Sequence, residues 1–452
     1  MGGFLLQKFR PGGEKRPAVV FPRPLWYNGP EKQKGRWTLD CFDIAVLGGG
    51  AAGLFAALSA AHGAAEAGRR LKIAVLEKNP RVGKKLLATG NGRCNLTNRH
   101  AAAARYHGDA APAAPVLERF PPEKAVEAFR SLGLICRELE GGRVYPYSLQ
   151  ASSVLNILRR NLESCGIETF CGFPVEKIEK AGGLFVLRSG GKAVRARRAI
   201  AATGGKACPQ SGSDGDGFAL LRPLGHTCTP LRPALVQIRT EPRRVRPLKG
   251  VRMAAQARLL SGGKVLKTTR GEVQFAEGAL SGICIFDLSR AVGEAGGGAE
   301  ISLNLAPEYG EEKLARFLRA GAKALGDAPA ARIAEGLLPK ALGAEAVRAA
   351  TGSPAAPAAA LGESDIRRIA RRIRDFRFPA LGTLPWRNAQ VTAGGIPLRE
   401  TKEGLQSALC PGLFLCGEIL NVDGDCGGYN LHWAWASGYA AGRAAARSLC
   451  AE

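Results

Sequence analysis

Acidic residues are scarce in this chain of 452 residues: 39 Asp and Glu stand against 64 Lys and Arg, a formal net charge of +25. That balance favours polyanionic partners over cationic ones. No apolar run reaches the roughly 18 residues needed to span a bilayer, so neither a transmembrane helix nor a membrane partner is expected. Only five His are present, no two at a metal-ligand spacing, and no metal site is expected. The twelve Cys contain no C-x-x-C, which excludes the redox dithiol of a thioredoxin-reductase type of flavoenzyme. Scattered thiols suit a reducing compartment, and a cytoplasmic location is expected. Residues 1–40 lack the apolar core of a secretory signal and read as a basic, poorly ordered extension. What is plentiful is Gly, at 59 residues, within an otherwise ordinary globular composition. At about 100 to 200 residues per domain, the length predicts two or three domains.

The first legible unit starts at Phe42. A buried strand, Phe42 to Leu47, runs into Gly48-Gly49-Gly50-Ala51-Ala52-Gly53 and an Ala/Leu-rich helix to about Ala67. A second strand, Lys72 to Leu76, ends at Glu77, followed by Lys78. This is the order of a dinucleotide-binding βαβ unit. Gly48 permits the tight turn, Gly50 lets backbone approach a pyrophosphate, and Gly53 lets helix pack on strand. Ala51 and Ala52 open the helix, where free N–H groups favour an anion. Glu77 stands where a carboxylate accepts ribose hydroxyls and repels a 2′-phosphate, which disfavours NADP in this site.

Two later segments decide between NAD and FAD. Arg197 to Ala202 reads as a strand entering the turn Thr203-Gly204-Gly205. Near the C-terminus, Gly412 to Cys416 reads as a strand ending in Gly417-Glu418. Asp423-Gly424-Asp425-Cys426-Gly427-Gly428-Tyr429-Asn430 then opens a helix through about Ser448. A helix N-terminus there would face a flavin ring and stabilise the negative charge that a reduced flavin carries. NAD has no use for this second apparatus.

Three segments carry a resemblance: Gly83 through Asn98, Val391-Thr392-Ala393-Gly394-Gly395, and Gly417-Glu418 with Asp423 through Trp435. They resemble the hallmark segments of the BaiN/RdsA-like FAD-binding flavoproteins, over roughly Phe42 to the C-terminus. The resemblance implies FAD as cofactor and reduction of a conjugated C=C bond; with no second G-x-G-x-x-G to mark a permanent nicotinamide site, NAD(P)H is expected as a transient reductant. The family includes reductases of bile-acid intermediates and of a uridine in large-subunit ribosomal RNA, and members described as aminoacetone oxidases. Carried over by position, it places Gly48, Gly50, Gly53, Glu77 and the backbone of Val175 on the ADP half. Lys84, Lys85, Gly92, Arg93, Cys94 and Asn95 then lie along the pyrophosphate or flavin edge. Asp423 and the Gly427–Asn430 helix start fall to ribityl and ring; the Thr203-Gly204 turn is expected to bring the chain back beside the cofactor, and Glu418, an acid after a strand, can bind the ribityl chain. Asn91 departs from the Gly usual at its place.

The expected fold class is α/β: a Rossmann-like FAD-binding domain, 41–207 and 386–452, with an inserted β-barrel-like subdomain, 208–306 and 377–385, and a helical subdomain, 307–376. In the insert, Ala234 to Ile238, Ala254 to Leu260 and Ile283 to Leu288 read as short strands, whereas Ile366, Ile369, Ile373 and Phe376 recur at helical spacing. From Arg222 through Arg270 stand twelve Lys or Arg and a single acid, Glu241. This concentration, with Arg243, Arg244, Arg246 and Lys249 at its centre and Arg367 and Arg371 on a later helix, predicts a polyanionic substrate. Ribosomal RNA is the expected partner; a small enone reductase or amine oxidase is the alternative. A nonredox or tRNA-modifying RNA-binding flavoprotein is the reading from another class. Proton donors considered for the reduction are Cys94, Cys426 and His432. Tyr429, Trp433 and Trp435 are either stacking platforms for a base or core.

Overall fold

The computed structural model describes residues 37–295 and 297–451. The extension read over residues 1–40 therefore lies outside the described residues as far as Arg36, and from Trp37 the chain is already strand. Trp37–Leu47 forms the middle of a seven-stranded sheet, flanked by Ile73–Glu77 and Lys192–Ala201. Ile73–Glu77 pairs in parallel with it, Leu47 beside Leu76, and Leu413–Leu415 pairs in parallel with Lys192–Ala201. All five residues of Ile73–Glu77 are buried, as a strand covered on both faces requires. The C-terminal ends at Leu47, Glu77, Ala201 and Leu415 gather at one edge, where open α/β sheets bind ligands.

Two helices cover that edge. Ala51–Glu66 follows the first glycine turn and Tyr429–Cys450 follows the last. They pack almost backbone to backbone: a Cβ on Gly438 would stand 2.7 Å from the Ala52 carbonyl oxygen, and one on Gly442 only 2.2 Å from that of Ala56. Small residues thus bring the two helices side by side with both N-termini at the sheet's ligand edge.

The remaining chain has its own core. Residues 42–221 and 396–449 share one hydrophobic cluster, and residues 238–380 share another. The chain leaves and returns through Arg232–Ala234 and Val391–Ala393, paired antiparallel. In the insert six antiparallel strands follow one another, from Ile238–Arg239 to Phe376–Pro379. The last runs on to close against the first: the Arg239 N–H donates to the Gly382 carbonyl oxygen and the Leu381 N–H to that of Arg239, both at 2.8 Å. The expected barrel-like closure is present. Helices Glu311–Leu325, Lys340–Thr351 and Glu363–Arg374 form the helical part, with Ile366, Ile369 and Ile373 buried.

One expected strand is a helix. Ile283 to Leu288 begins Ile283–Ala295, whose buried residues Cys284, Ile285, Leu288, Ser289 and Val292 follow helical spacing. The short apolar run resembles a strand when read alone, and the helical period emerges only when Ser289 and Val292 are counted. Among the described residues no helix is long and apolar enough to cross a membrane.

Candidate functional site

The sheet's ligand edge opens into a cleft of about 980 Å³. Its walls come from both glycine turns and the segments beside them: Gly48 to Ala52, Lys84 and Lys85, Thr203 and Gly204, Gly417 and Glu418, and Asn430, Leu431, Trp433 and Ala434. A smaller hollow of about 390 Å³ adjoins it through Gly48, Glu77, Thr203 and Gly212, and is finished by Phe173, Val175 and Leu220. Together they form one elongated trough from Val175 to the start of the C-terminal helix.

Glycine geometry shapes the trough. Gly48 adopts φ +104, and a Cβ there would press to 2.4 Å from the Ala202 carbonyl oxygen, so only Gly makes this turn. A Cβ on Gly53 would meet the Gly48 oxygen at 1.9 Å. Gly50 is the opposite case: nothing lies within 4 Å of its Cβ position, so its backbone faces open space. Gly50 and Gly428 start the two helices without a side-chain cap. Uncapped first-turn N–H groups are anion donors.

The polar groups are held in order. Glu77 is buried; its Oε2 accepts the Gly49 N–H at 2.8 Å, and its Oε1 accepts the Asn79 N–H and side-chain amide at 2.8 and 2.7 Å. Lys78 lines the smaller hollow and bridges Asp214 and Asp216, each at 2.7 Å. Lys85 spans to Glu418 at 2.7 Å. Glu418 also accepts the Thr392 N–H and hydroxyl, at 2.9 and 2.8 Å, while the Thr392 oxygen accepts the N–H groups of Lys206 and Ala207. One Thr thereby ties the returning strand, the Thr203 turn and Glu418 together. Gly417 is clamped by the C-terminal helix: Ser437 accepts its N–H at 2.9 Å and Trp433 donates to its oxygen at 3.1 Å.

Other residues named from the sequence lie away from the cleft lining. Gly92 and Arg93 sit on an exposed loop, the Arg93 guanidinium over the Tyr145 ring. Asn91, in the same loop, has φ 55, a left-handed conformation that Asn tolerates. Asn95 is buried, with Oδ1 against the backbone of Gly428. Asp423 is buried and faces the insert, where Arg290 donates to it at 3.1 Å. Gly427 and Gly428 form the turn before the helix, and the buried Tyr429 accepts the Tyr106 hydroxyl through its carbonyl. Trp433 is the exception, buried yet lining the cleft, whereas Trp435 is core, its indole donating to the Leu96 carbonyl oxygen.

The three acids considered from the sequence have unsuitable surroundings. Burial pushes the Cys94 and Cys426 thiols up to about 12, and burial drives His432 down to about 4. His432 is enclosed beside Phe120, its Nδ1 2.9 Å from the Thr97 hydroxyl. A Ser407–His226–Glu400 relay, both links 2.9 Å, has the outline of a hydrolase triad. Ser407 is buried, however, and its oxygen already accepts the N–H groups of Leu409 and Cys410, so the relay is a structural tie.

Sequence reading missed the segment Ser211-Gly212-Ser213, which lines the cleft, and Asp214 and Asp216 beyond it. Its Ser/Gly/Asp alternation was a visible signal of a turn near a ligand.

The model of the HI0933-like protein Rossmann domain matches residues 42–444. The chain belongs to that family. A 3-dehydro-bile acid delta(4,6)-reductase of Clostridium scindens is 38% identical over 408 residues, covering 89% of this chain and 98% of the relative. A ribosomal RNA dihydrouridine synthase of Escherichia coli is 26% identical over 406 residues, 89% of this chain and 97% of the relative. Among solved structures, a 3-ketosteroid-delta4-(5alpha)-dehydrogenase from Rhodococcus jostii RHA1 aligns with a TM-score of 0.44 at 18% identity, covering 90% of this chain and 97% of that one. This HI0933-like chain is an FAD-dependent oxidoreductase. The trough fits the cofactor on two observations: the open space at Gly50, and the Thr203 hydroxyl, buried without a partner among the described residues in the wall that both hollows share.

Proposed function

We propose that this HI0933-like enzyme reduces a C=C bond conjugated to a carbonyl, with NAD(P)H as electron source, and that the bond belongs to a uracil ring in ribosomal RNA. Bound in the trough, FAD supplies the hydride. Glu77, its acceptor sites already oriented by Gly49 and Asn79, holds the adenosine ribose beside Val175. The N-terminus of Ala51–Glu66 holds the pyrophosphate. The N-terminus of Tyr429–Cys450 places a positive dipole end at the ring, where negative charge develops. The single observation that carries this assignment is the convergence of two uncapped helix N-termini on one cleft.

The choice of RNA rests on charge that the fold leaves unneutralised. Arg244 pairs with Glu241, Lys249 with Glu277, Arg367 with Glu312 and Glu363, and Arg371 with Glu311. These four therefore contribute less to an RNA field than the sequence suggested. Arg243, Arg246, Lys264 and Arg270 are exposed and have no ion-pair partner among the described residues. Free guanidinium groups suit phosphate contacts. A steroid-type enone is the second reading, favoured by the 38% identity to the bile-acid reductase.

The test is anaerobic. Protein whose FAD has been reduced with NAD(P)H is offered unmodified ribosomal RNA or a 3-oxo-4,6-diene steroid. Reoxidation by RNA with formation of dihydrouridine is expected; reoxidation by the steroid alone overturns the RNA assignment. Reversing Arg243, Arg246 and Arg270 to Glu should weaken RNA binding and lower its salt slope by about 2 to 3, leaving steroid turnover unchanged.

A further inference from the structure

Reducing such a bond consumes a proton as well as a hydride, and the surroundings of Cys94, Cys426 and His432 suit none of them to supply it. Another acid stands on the insert, at its contact with the C-terminal segment. Helix Ile283–Ala295 lies against the segment that leads into the C-terminal helix, and Asp287 accepts the Cys426 N–H there at 2.7 Å. Phe286, the preceding residue, packs with Cys426 against the cluster of Leu235 and Val391, and Val391 lines the cleft. Asp287 thus sits at the seam between insert and FAD-binding domain, one residue from the Gly427-Gly428 turn.

A second carboxylate beside it has opposite surroundings. Asp425 lies 2.9 Å from His107 Nε2 and 3.7 Å from both Lys267 and Arg105. Burial raises its proton affinity, but His107, Lys267 and Arg105 outweigh that and hold it below the ordinary carboxylate range. Asp287 has no ion pair among the described residues. Burial and the neighbouring Asp425 push it up to about 6, against the opposing pull of the Cys426 N–H, Lys267 and His107. The remaining titratable groups around it are the thiols of Cys284 and Cys426 and the Tyr429 phenol, all raised by burial first and by Asp287 in part. Two adjacent carboxyl groups driven apart in this way give one that stays ionised and one that can carry a proton.

We infer that Asp287 is the proton donor of the reduction. Hydride reaches the β carbon of the conjugated bond; the Asp287 O–H bond breaks, and its proton goes to the α carbon. The product is saturated, and Asp287 is left as a carboxylate that water reprotonates. The two electrons come from NAD(P)H by way of FAD, and the inference rests on the reading of the substrate given above. A substrate seated at the seam excludes further water and favours the protonated carboxyl still more.

The decisive variant is Asp287→Asn, because the amide oxygen still accepts the Cys426 N–H while the proton is gone; Asp287→Glu returns an acid. The two half-reactions are followed separately by anaerobic stopped-flow absorbance, with RNA and the steroid diene as acceptors. Reduction of FAD by NAD(P)H should stay within about twofold of wild type. Reoxidation should slow by about 10²- to 10⁴-fold in the Asn variant and recover in part with Glu. In wild type, reoxidation should also fall as the pH rises above about 6, and that dependence should vanish with Asn. An Asn variant that is reoxidised at the wild-type rate with the wild-type pH profile overturns the inference alone. So does an equal loss in both half-reactions that Glu does not recover, which would make Asp287 structural. Wild-type protein that no conjugated acceptor reoxidises overturns the proposed function and this inference with it.

Discussion

Replacing Gly442 by Ala tests the contact on which the geometry of the cleft depends. In an ordinary helix, Gly to Ala stabilises by about 0.5 to 1 kcal/mol, because the unfolded chain loses freedom. At Gly442 the new methyl would meet the Ala56 oxygen at 2.2 Å, the Ala56 carbonyl carbon at 3.0 Å and the Ala60 nitrogen at 3.0 Å, all backbone atoms of the facing helix. Backbone cannot rotate away as a side chain can. Relief therefore requires the helices to separate by roughly 1 Å, and overpacking of that kind costs about 1 to 3 kcal/mol. The expected net effect is a loss of about 1 to 2 kcal/mol once the propensity gain is subtracted. Gly63, on the facing helix Ala51–Glu66, is the control. A methyl there meets no backbone, only the Arg443 side chain at 3.1 Å and the Ala446 methyl at 3.6 Å, so Gly63→Ala should stabilise by up to about 1 kcal/mol. Urea midpoints at constant m measure both. Because separation also moves the helix N-termini, the Gly442 variant should retain less FAD on gel filtration. Equal stabilisation by both substitutions would refute the close-packing argument.

Two further predictions concern single side chains. Glu77→Gln should weaken FAD binding by about 10- to 100-fold in titrations of the apoprotein, the equivalent of one charge-assisted hydrogen bond; unchanged affinity would remove Glu77 from the site. His432 has a folded-state pKa of about 4, below the unfolded value of about 6.5, so the unfolded chain binds more protons between these limits. Stability should be intact above about pH 6.5 and fall by roughly 3 kcal/mol as the pH approaches 4. His432→Gln should flatten that slope, and an unaltered slope would assign the acid sensitivity to another group.

The Rossmann unit was legible because its constraints are local. The turn at Gly48, the helix at Ala51 and the buried run ending at Glu77 lie within 30 residues of one another, and the sterics of each are visible in residue type. The start of the C-terminal helix was legible for the same reason, through Gly427 and Gly428. The true surroundings of Asp423 were not. Its partner Arg290 lies 133 residues away on the insert, in a helix whose opening residues read as strand. Asp287 was hidden by the same misreading, since a residue assigned to a barrel strand gives no reason to expect it beside Cys426. Thr392 was quoted within a motif, yet its task of joining Lys206, Ala207 and Glu418 depends on a crossover that only tertiary structure supplies.

Charge shows the limit of local reading most clearly. Along the chain, Arg367 and Arg371 look like a basic stripe opposite an apolar one, and Arg244 and Lys249 look like part of a phosphate-binding cluster. Folding brings Glu311 and Glu312 onto the first pair from another helix, and Glu277 onto Lys249 across a barrel strand. An exposed ion pair contributes little to stability, but it removes much of the field a distant phosphate would feel, since the carboxylate cancels the cation beyond a few ångströms. The net charge of +25 is unaltered by such pairing; its distribution is not. What selects a substrate is the residue of charge left over after the fold has matched acids to bases, and within the predicted basic cluster that remainder is Arg222, Arg239, Arg243, Arg246, Lys264 and Arg270, all exposed and without an ion-pair partner among the described residues. A polyanion would be recognised there rather than at the paired members of the predicted basic cluster.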